Sequence, residues 1–137
     1  MSDLFSEELE ALLALERRLA EEVLPGLRER AHAADLLRAL DRHLLETEGH
    51  VENLKLVRAL AVGAPALEGE DFRILVEVLR TEALEVAVYR FLVHAANALD
   101  LDEEAMRLLR LNMEQDAYAL EQAEHALAKL LAEKLES

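Results

Sequence analysis

Two histidines, a glutamate and a threonine lie close together in the segment HLLETEGH, residues 43–50. At about 100° per residue, His43, Glu46, Thr47 and His50 fall within one helical arc of roughly 100°. Apolar residues recur at helical spacing on an overlapping stripe, so this arc is expected to face the core side of the helix. Imidazole and carboxylate groups in such a place are typical ligands of a transition-metal ion.

Three further apolar stripes carry acidic residues at positions that helical spacing predicts to be internal. Glu16 occurs in the first stripe, Glu82 with Glu85 in the third, and Asp116 in the fourth. Counted from the predicted turns, these positions lie at similar depths along their helices. Burying an unpaired charge costs several kcal/mol, so the joint pattern favours a dinuclear iron or manganese carboxylate centre. The predicted metal ligands are Glu16, Glu46, His50, Glu82, Glu85 and Asp116.

A simpler interpretation applies to each of these residues taken alone. A single acidic residue at the edge of an apolar stripe is usually solvated, and a single core histidine usually bonds a neighbouring carbonyl group. His32, His94 and His125 are therefore interpreted as surface or cap residues without a metal role. The metal hypothesis depends on the joint pattern of the six predicted ligands. His43 is expected to orient a ligand carboxylate from a second layer, and Thr47 to bond a helix carbonyl or a carboxylate.

Helical periodicity extends over almost the whole chain and predicts an all-α, antiparallel, up-down-up-down four-helix bundle as a single domain, residues 1–137. Proline at position 25 is expected to kink the first helix, with the segment LRERAHAA continuing it, and a Gly- and Pro-containing segment separates the second helix from the third. The predicted helices begin at about Asp3, at Asp35 as N-cap, at about Phe72, and after Asp102 as N-cap; the second ends near Leu60 and the third near Leu99.

Composition excludes several classes of function. The 137 residues contain no cysteine, so disulfides, thiolate metal sites and thiol catalysis are excluded. The formal net charge of −14 would repel duplex nucleic acid and anionic membranes, and it is compatible with metal cations as ligands. The N-terminal sequence lacks the basic and apolar regions of a signal peptide, and no apolar run is long enough for a membrane span. A cytoplasmic location is expected.

Several motifs resemble the YciF/YciE-like bacterial ferritin-like proteins, a stress-associated family of unsettled biochemical role. The segment from LPGL to LLRALDRHLLETEGHVENL is similar to the acid, LP and HLEET elements of that family. The segment ALEG, residues 66–69, is similar to its AMEG, and TEALEVAVY, residues 81–89, is similar to its EHYEIAxY. The resemblance implies a ferritin-like fold, a dinuclear iron site, homodimers, and a place for Tyr89 beside the ligands Glu82 and Glu85.

The chain departs from the family pattern at several of the expected ligand positions. Ala83 occupies the position of a family histidine, Arg17 that of the first-helix acid, and Gln115 and Leu120 stand where acids are expected. The connection between the second and third helices is also shorter by roughly thirty residues than in the family. The resemblance therefore implies a reduced set of ligands on an unchanged fold.

Three functions are compatible with these features, and whether the protein is an enzyme stays open among them. The first is a ferritin-like metal-binding protein holding Fe or Mn, with weak oxidase or peroxide-consuming activity. The second is a metal-free ferritin-like interaction module, and the third, ranked lower, is a hemerythrin-like iron or oxygen binder. A homodimer is expected because the helices carry more apolar positions than one core requires. Apolar residues expected to remain outside the core are, for example, Leu13, Leu45, Leu56 and Leu84.

Overall fold

The computed structural model describes residues 3–136, and this part of the chain is helical without any strand. A first helical region comprises α1 (Leu4–Arg18), a π-helical segment (Leu19–Val23) and α2 (Leu24–Arg30). The remaining helices are α3 (Ala34–Leu60), α4 (Glu70–Ala98) and α5 (Glu103–Glu136). The all-α prediction is confirmed, and the chain forms two compact units, residues 1–68 and 69–137.

The π-helical segment stands where the sequence predicted a kink. Pro25 has no backbone N–H and would leave one carbonyl group of a regular α-helix without its donor. The helix widens just before this residue, and the Leu24 amide donates to the Leu19 carbonyl, five residues back. Helical structure then continues through Pro25 to Arg30, as predicted for LRER. The predicted continuation through AHAA is wrong, because the backbone is extended at Ala31 and Ala33 and a new helix begins at Ala34.

Two predicted N-caps have different outcomes. Asp102 caps α5, since its carboxylate accepts the amide of Glu104 at 2.8 Å. The prediction for Asp35 is wrong: Ala33 occupies the cap of α3, and Asp35 lies in the first turn, where it pairs with Arg38. An acidic side chain in the first turn interacts favourably with the helix dipole and with a basic residue three positions later, so the same residue type suits both places.

The first unit is an antiparallel pairing of the α1–α2 region with α3. Glu10 accepts hydrogen bonds from Arg58 at 3.2 and 3.3 Å, Glu16 lies beside His50, and Asp41 accepts from Arg28. Along these three pairs the residue number in α3 falls as the residue number in the α1–α2 region rises, so the two segments run antiparallel. The unit is closed at its end by the backbone of Leu67, which donates to the Asp3 carboxylate at 2.9 Å and accepts from the Leu4 amide at 2.8 Å.

The second unit is a helical hairpin of α4 and α5 joined by residues 99–102. Its turn ends α4 with a Schellman motif, in which the Leu101 amide donates to Ala96 and the Asp100 amide donates to Asn97. Asp100 adopts the left-handed conformation at φ 54°, which aspartate tolerates better than most residues. Such a short turn forces α5 to run antiparallel to α4, and this direction sets which side chains meet across the hairpin.

The spacing of apolar residues predicts that Phe5, Leu9 and Leu12 of α1 face the core, and the structure differs at two of these positions. Leu4 and Leu13 are buried, whereas Phe5 and Leu12 remain 45% and 43% exposed. Leu13 is 1% exposed, so its use as an example of surplus apolar surface is wrong, while Leu45, Leu56 and Leu84 are exposed as expected. The large apolar residues of α1 occupy about half of its circumference, so the helical period alone does not decide which edge of this wide stripe is covered.

No helix within residues 3–136 is long and apolar enough to cross a membrane. The assembly of the two units into one four-helix, single-domain bundle stays a prediction from the sequence.

We predict that Asp3→Ala lowers the free energy of unfolding by removing the acceptor for Leu67 and for the Ser6 hydroxyl. These hydrogen bonds lower the pKa of Asp3 below 3.8. Their stabilisation is therefore present above pH 3.8 and is lost as pH falls through the folded pKa. Urea denaturation followed by circular dichroism should show a difference from wild type at pH 7 that shrinks at pH 3. Asp3→Asn keeps one acceptor oxygen and should lie between the two; equal stability of Asp3→Ala and wild type at pH 7 would contradict the prediction.

Candidate metal site

Three carboxylates meet between α4 and α5, and we call them the acidic triad: Glu82, Glu85 and Asp116. Each offers one oxygen, and these oxygens all lie within 4.8 Å of one another. Glu82 and Glu85 are three residues apart and so project from neighbouring positions on α4, while Asp116 faces them from α5. Glu82 and Asp116 are half-buried and Glu85 is exposed. The α4–α5 hairpin alone brings this group together.

Glu82 is the least solvated member of the acidic triad. Its Oε2 atom is buried and has no hydrogen-bond donor. Burial raises the pKa of Glu82 above its ordinary value of 4.5, and the charge of Asp116 and a hydrogen bond with it add to the effect. A buried carboxylate oxygen without a donor is rare in folded proteins, because it has lost its hydration without a replacement. A proton or a cation would supply the missing partner.

Glu85 interacts mainly with Asp116. A hydrogen bond with the Asp116 carboxyl raises the pKa of Glu85, followed by the charge of Asp116, burial, and the charge of Glu82. The charges that act on Glu82 and Glu85 are those of neighbouring carboxylates, and each of them raises the pKa of the group it acts on.

The donor set and spacing of the acidic triad fit a divalent cation. Carboxylate oxygens lie about 2.0–2.6 Å from a bound divalent ion, so two ligands of one ion are at most about 4–5 Å apart. The separations within 4.8 Å satisfy this limit. A set made only of carboxylates selects hard cations such as Mn²⁺, Mg²⁺, Ca²⁺ or Fe²⁺ over those that prefer sulfur. The acidic triad is thus a possible metal-binding group.

A polar pair adjoins the acidic triad on the same two helices. Asn112 donates from Nδ2 to the Tyr89 hydroxyl oxygen at 3.2 Å. Tyr89 was expected beside the ligands because of a family resemblance, whereas Asn112 was not singled out in the sequence. Its position four residues before Asp116, on the same face of α5, is the signal that could have identified it.

In the first unit, Glu16 and His50 meet across α1 and α3. Glu16 Oε2 lies 3.4 Å from His50 Nδ1, and it is buried without a hydrogen-bond donor. The Glu16 side chain is 16% exposed and the imidazole is 51% exposed. The sequence prediction that places Glu16 at an internal position of α1 agrees with this burial, and the pair offers one oxygen and one nitrogen donor.

The rest of the HLLETEGH segment is divided between the inside and the outside of α3. Thr47 is fully buried and donates from its hydroxyl to the His43 carbonyl at 2.7 Å, which confirms the predicted bond to a helix carbonyl. Glu46 is 54% exposed and accepts a hydrogen bond from Arg42 at 3.1 Å. The His43 side chain is exposed. Thr47 is thus the inward-facing member of this group, and Glu46 pairs with a neighbouring cation.

The structure therefore brings the predicted ligands together in two groups, Glu16 with His50 and Glu82 with Glu85 and Asp116. The convergence of all six predicted ligands on one centre stays a prediction.

Comparison with protein families gives one match, to the family described as a domain of unknown function (DUF892), over residues 1–66. The match covers 66 of 137 residues and includes Glu16, Glu46 and His50, whereas the acidic triad lies outside it. Neither the search of curated proteins nor that of solved structures gives a match. The first helical unit is thus similar to this family along nearly its whole length.

We predict that the metal-free protein loses stability as pH rises. The pKa values of Glu82 and Glu85 are raised in the folded state, so their stabilisation is complete below the unfolded value of about 4.5 and is lost as pH rises through the folded values. Urea denaturation in the presence of a chelator should show a lower free energy of unfolding at pH 8 than at pH 5.

Asp116→Asn removes the repelling charge and should flatten this dependence, whereas Glu121→Gln, an exposed residue of α5, should leave it as in wild type. Identical pH dependences for wild type and Asp116→Asn would show that the acidic triad does not cause the loss.

Proposed function

We propose that the protein is a ferritin-like metal-binding protein of the YciF/YciE-like group, and that the acidic triad belongs to a dinuclear iron or manganese site. The observation that carries the proposal is the buried Glu82 Oε2, which lacks a donor and lies among two further carboxylates. Such an arrangement costs stability in the absence of a cation, because the charges repel and are poorly solvated. A divalent ion bound there would compensate this cost.

The group assignment has two independent supports. The match to the DUF892 family covers residues 1–66, and the HLLETEGH segment within it is similar to the HLEET element of YciF-like proteins. In the second half of the chain, TEALEVAVY places Glu82 and Glu85 where the family resemblance expects ligands. These are the α4 residues that meet Asp116.

Each predicted ligand would have its own role in binding the metal. Glu82, Glu85 and Asp116 would hold the ion through the oxygens of their deprotonated carboxylates. Glu16, Glu46 and His50 would complete the centre if they reach it, with Glu46 released from Arg42. A bound iron would supply redox chemistry toward oxygen or peroxide, and the carboxylate ligands would tune its potential.

A metal-free ferritin-like interaction module is the second candidate. It is favoured by the pairing of Glu46 with Arg42 and by the half-exposed imidazole of His50, since a ligand in a working site is usually held by the protein around it. A hemerythrin-like centre ranks lower, because it needs several histidines and the acidic triad contains none. Binding of metal to the acidic triad separates the first candidate from the second.

We predict that Mn²⁺ or Fe²⁺ stabilises the wild-type protein at pH 8 and that Asp116→Asn abolishes this effect. Binding to the folded state alone stabilises it by about 2.7 kcal/mol at a hundredfold excess over the dissociation constant. Thermal melts with and without the ion measure the shift, using untagged protein purified without chelator. Glu121→Gln keeps Asp116 and should retain the full shift. A wild-type melting temperature indifferent to both ions would favour the metal-free module.

Glu16→Leu in the same melts tests whether the first unit takes part. If Glu16 is a ligand, this variant loses the metal-induced shift while its metal-free form becomes more stable, because a poorly solvated carboxylate is replaced by an apolar side chain. A full metal shift in Glu16→Leu would restrict the site to the acidic triad.

We also propose that the protein forms a homodimer, as the sequence and the resemblance led us to expect. Large apolar side chains are exposed on α3 and α4, among them Leu45 at 70%, Leu84 and Phe91. Exposed apolar surface of this kind favours association. Light scattering after size-exclusion chromatography, at tens of micromolar, should give twice the 15.4 kDa chain mass, about 31 kDa. A mass of one chain at that concentration would contradict the dimer and leave the metal proposal intact.

A further inference from the structure

The hydrogen bond from Asn112 to Tyr89 links α4 and α5 at a fixed distance from the acidic triad. Tyr89 lies four residues after Glu85, and Asn112 lies four residues before Asp116. In antiparallel helices these steps run in the same direction, toward the turn at residues 99–102. At 1.5 Å per residue, the bond is about 6 Å along the hairpin from the Glu85–Asp116 contact.

The two groups also share a seam. Residues four apart lie on the same face of a helix, so Tyr89 follows Glu85 on α4, and Asn112 precedes Asp116 on α5. The Glu85–Asp116 contact and the Tyr89–Asn112 bond are therefore neighbouring contacts, one helical turn apart, between the same faces of α4 and α5. If α5 slid along α4 by a fraction of a turn, both would change together.

Three interactions act between α4 and α5 here, and they affect a slide of one helix along the other in different ways. Apolar packing is not directional, so it limits a slide of one helix along the other only through the shapes of the side chains. One oxygen from each of the three carboxylates lies within 4.8 Å of the others, and like charges at this distance favour a displacement that separates them. A hydrogen bond is directional and weakens steeply with distance and angle, so the Tyr89–Asn112 bond resists such a displacement.

We propose that Tyr89 and Asn112 are positioning residues of the metal site, which fix the register of α4 against α5 so that Asp116 meets Glu82 and Glu85. This inference rests on the proposed function, since it assigns the pair its role through the acidic triad. Tyr89 is half-buried and its hydroxyl accepts the hydrogen bond from Asn112, so removing the hydroxyl alone should loosen the ligands. Groups that orient metal ligands typically change metal affinity by 10- to 100-fold when they are removed.

The test measures Mn²⁺ affinity by calorimetry and the visible absorption of bound Co²⁺, which depends on coordination geometry. In the full chain, Tyr89→Phe should weaken Mn²⁺ binding by about tenfold or more and change the Co²⁺ spectrum. Tyr118→Phe removes the same hydroxyl from a residue of α5 that is 63% exposed and should change neither. Asn112→Ala should reproduce the Tyr89→Phe effect, and the double variant should add little to it, because both changes break one bond.

The outcomes separate this inference from the proposed function. If wild type binds neither Mn²⁺ nor Co²⁺, the proposed function fails, and this inference fails with it. If wild type binds both ions and Tyr89→Phe and Asn112→Ala keep its affinity and Co²⁺ spectrum, the positioning role is overturned and the metal site stands. A lower melting temperature with unchanged metal binding also overturns it, because the bond would then be structural only. Should one variant fail to fold, the other decides between these outcomes.

Discussion

The mutual repulsion of three carboxylates, two of them half-buried, is the constraint on which the second unit depends. One oxygen from each of Glu82, Glu85 and Asp116 lies within 4.8 Å of the others, and the hairpin holds them together. The raised pKa values of the two glutamates show that the folded state disfavours their charged forms. Protonation relieves the repulsion, so the acidic triad is more compatible with the folded state at low pH than at high pH.

The helical hairpins explain how these side chains can be held against repulsion. The turn at residues 99–102 fixes the direction of α5, and the Asn112–Tyr89 bond joins the two helices one turn away from the acidic triad. Apolar packing along the seam, with Phe72 and Val86 buried on α4 and Ala123 on α5, supplies the attraction that offsets the charge repulsion. These contacts thus offset the free energy that the repulsion within the acidic triad costs the folded state.

The two units contribute different evidence about function. The first unit, which is closed by the Asp3–Leu67 contact, coincides closely with the family match and holds the Glu16–His50 pair. The second unit lies outside that match and holds the group best suited to a cation. Similarity and coordination geometry therefore point to different halves of the chain.

The sequence by itself determined the helical class, the approximate ends of the helices and the polar positions that interrupt their apolar stripes. Periodicity places Glu82 and Asp116 among the apolar residues of α4 and α5, where both are half-buried, and Asp102 is recognisable because a capping aspartate acts locally. Local pattern was insufficient for α1, where Leu4 and Leu13 are buried in place of Phe5 and Leu12, and for Asp35, which suits both a cap and a first turn.

Only the tertiary structure decided which polar side chains meet. Helical spacing put His43, Glu46, Thr47 and His50 on one arc, but that arc is wider than the part of α3 that is covered. Thr47 is consequently buried, while Glu46 turns to Arg42. Asn112 of α5 bonds to Tyr89 of α4, 23 residues away, and the two side chains meet only because of how the two helices are aligned. The sequence gives the angle of a side chain around its own helix. The distance between side chains of two helices depends on the packing of many residues at once, and the apolar stripe of one helix does not specify that packing.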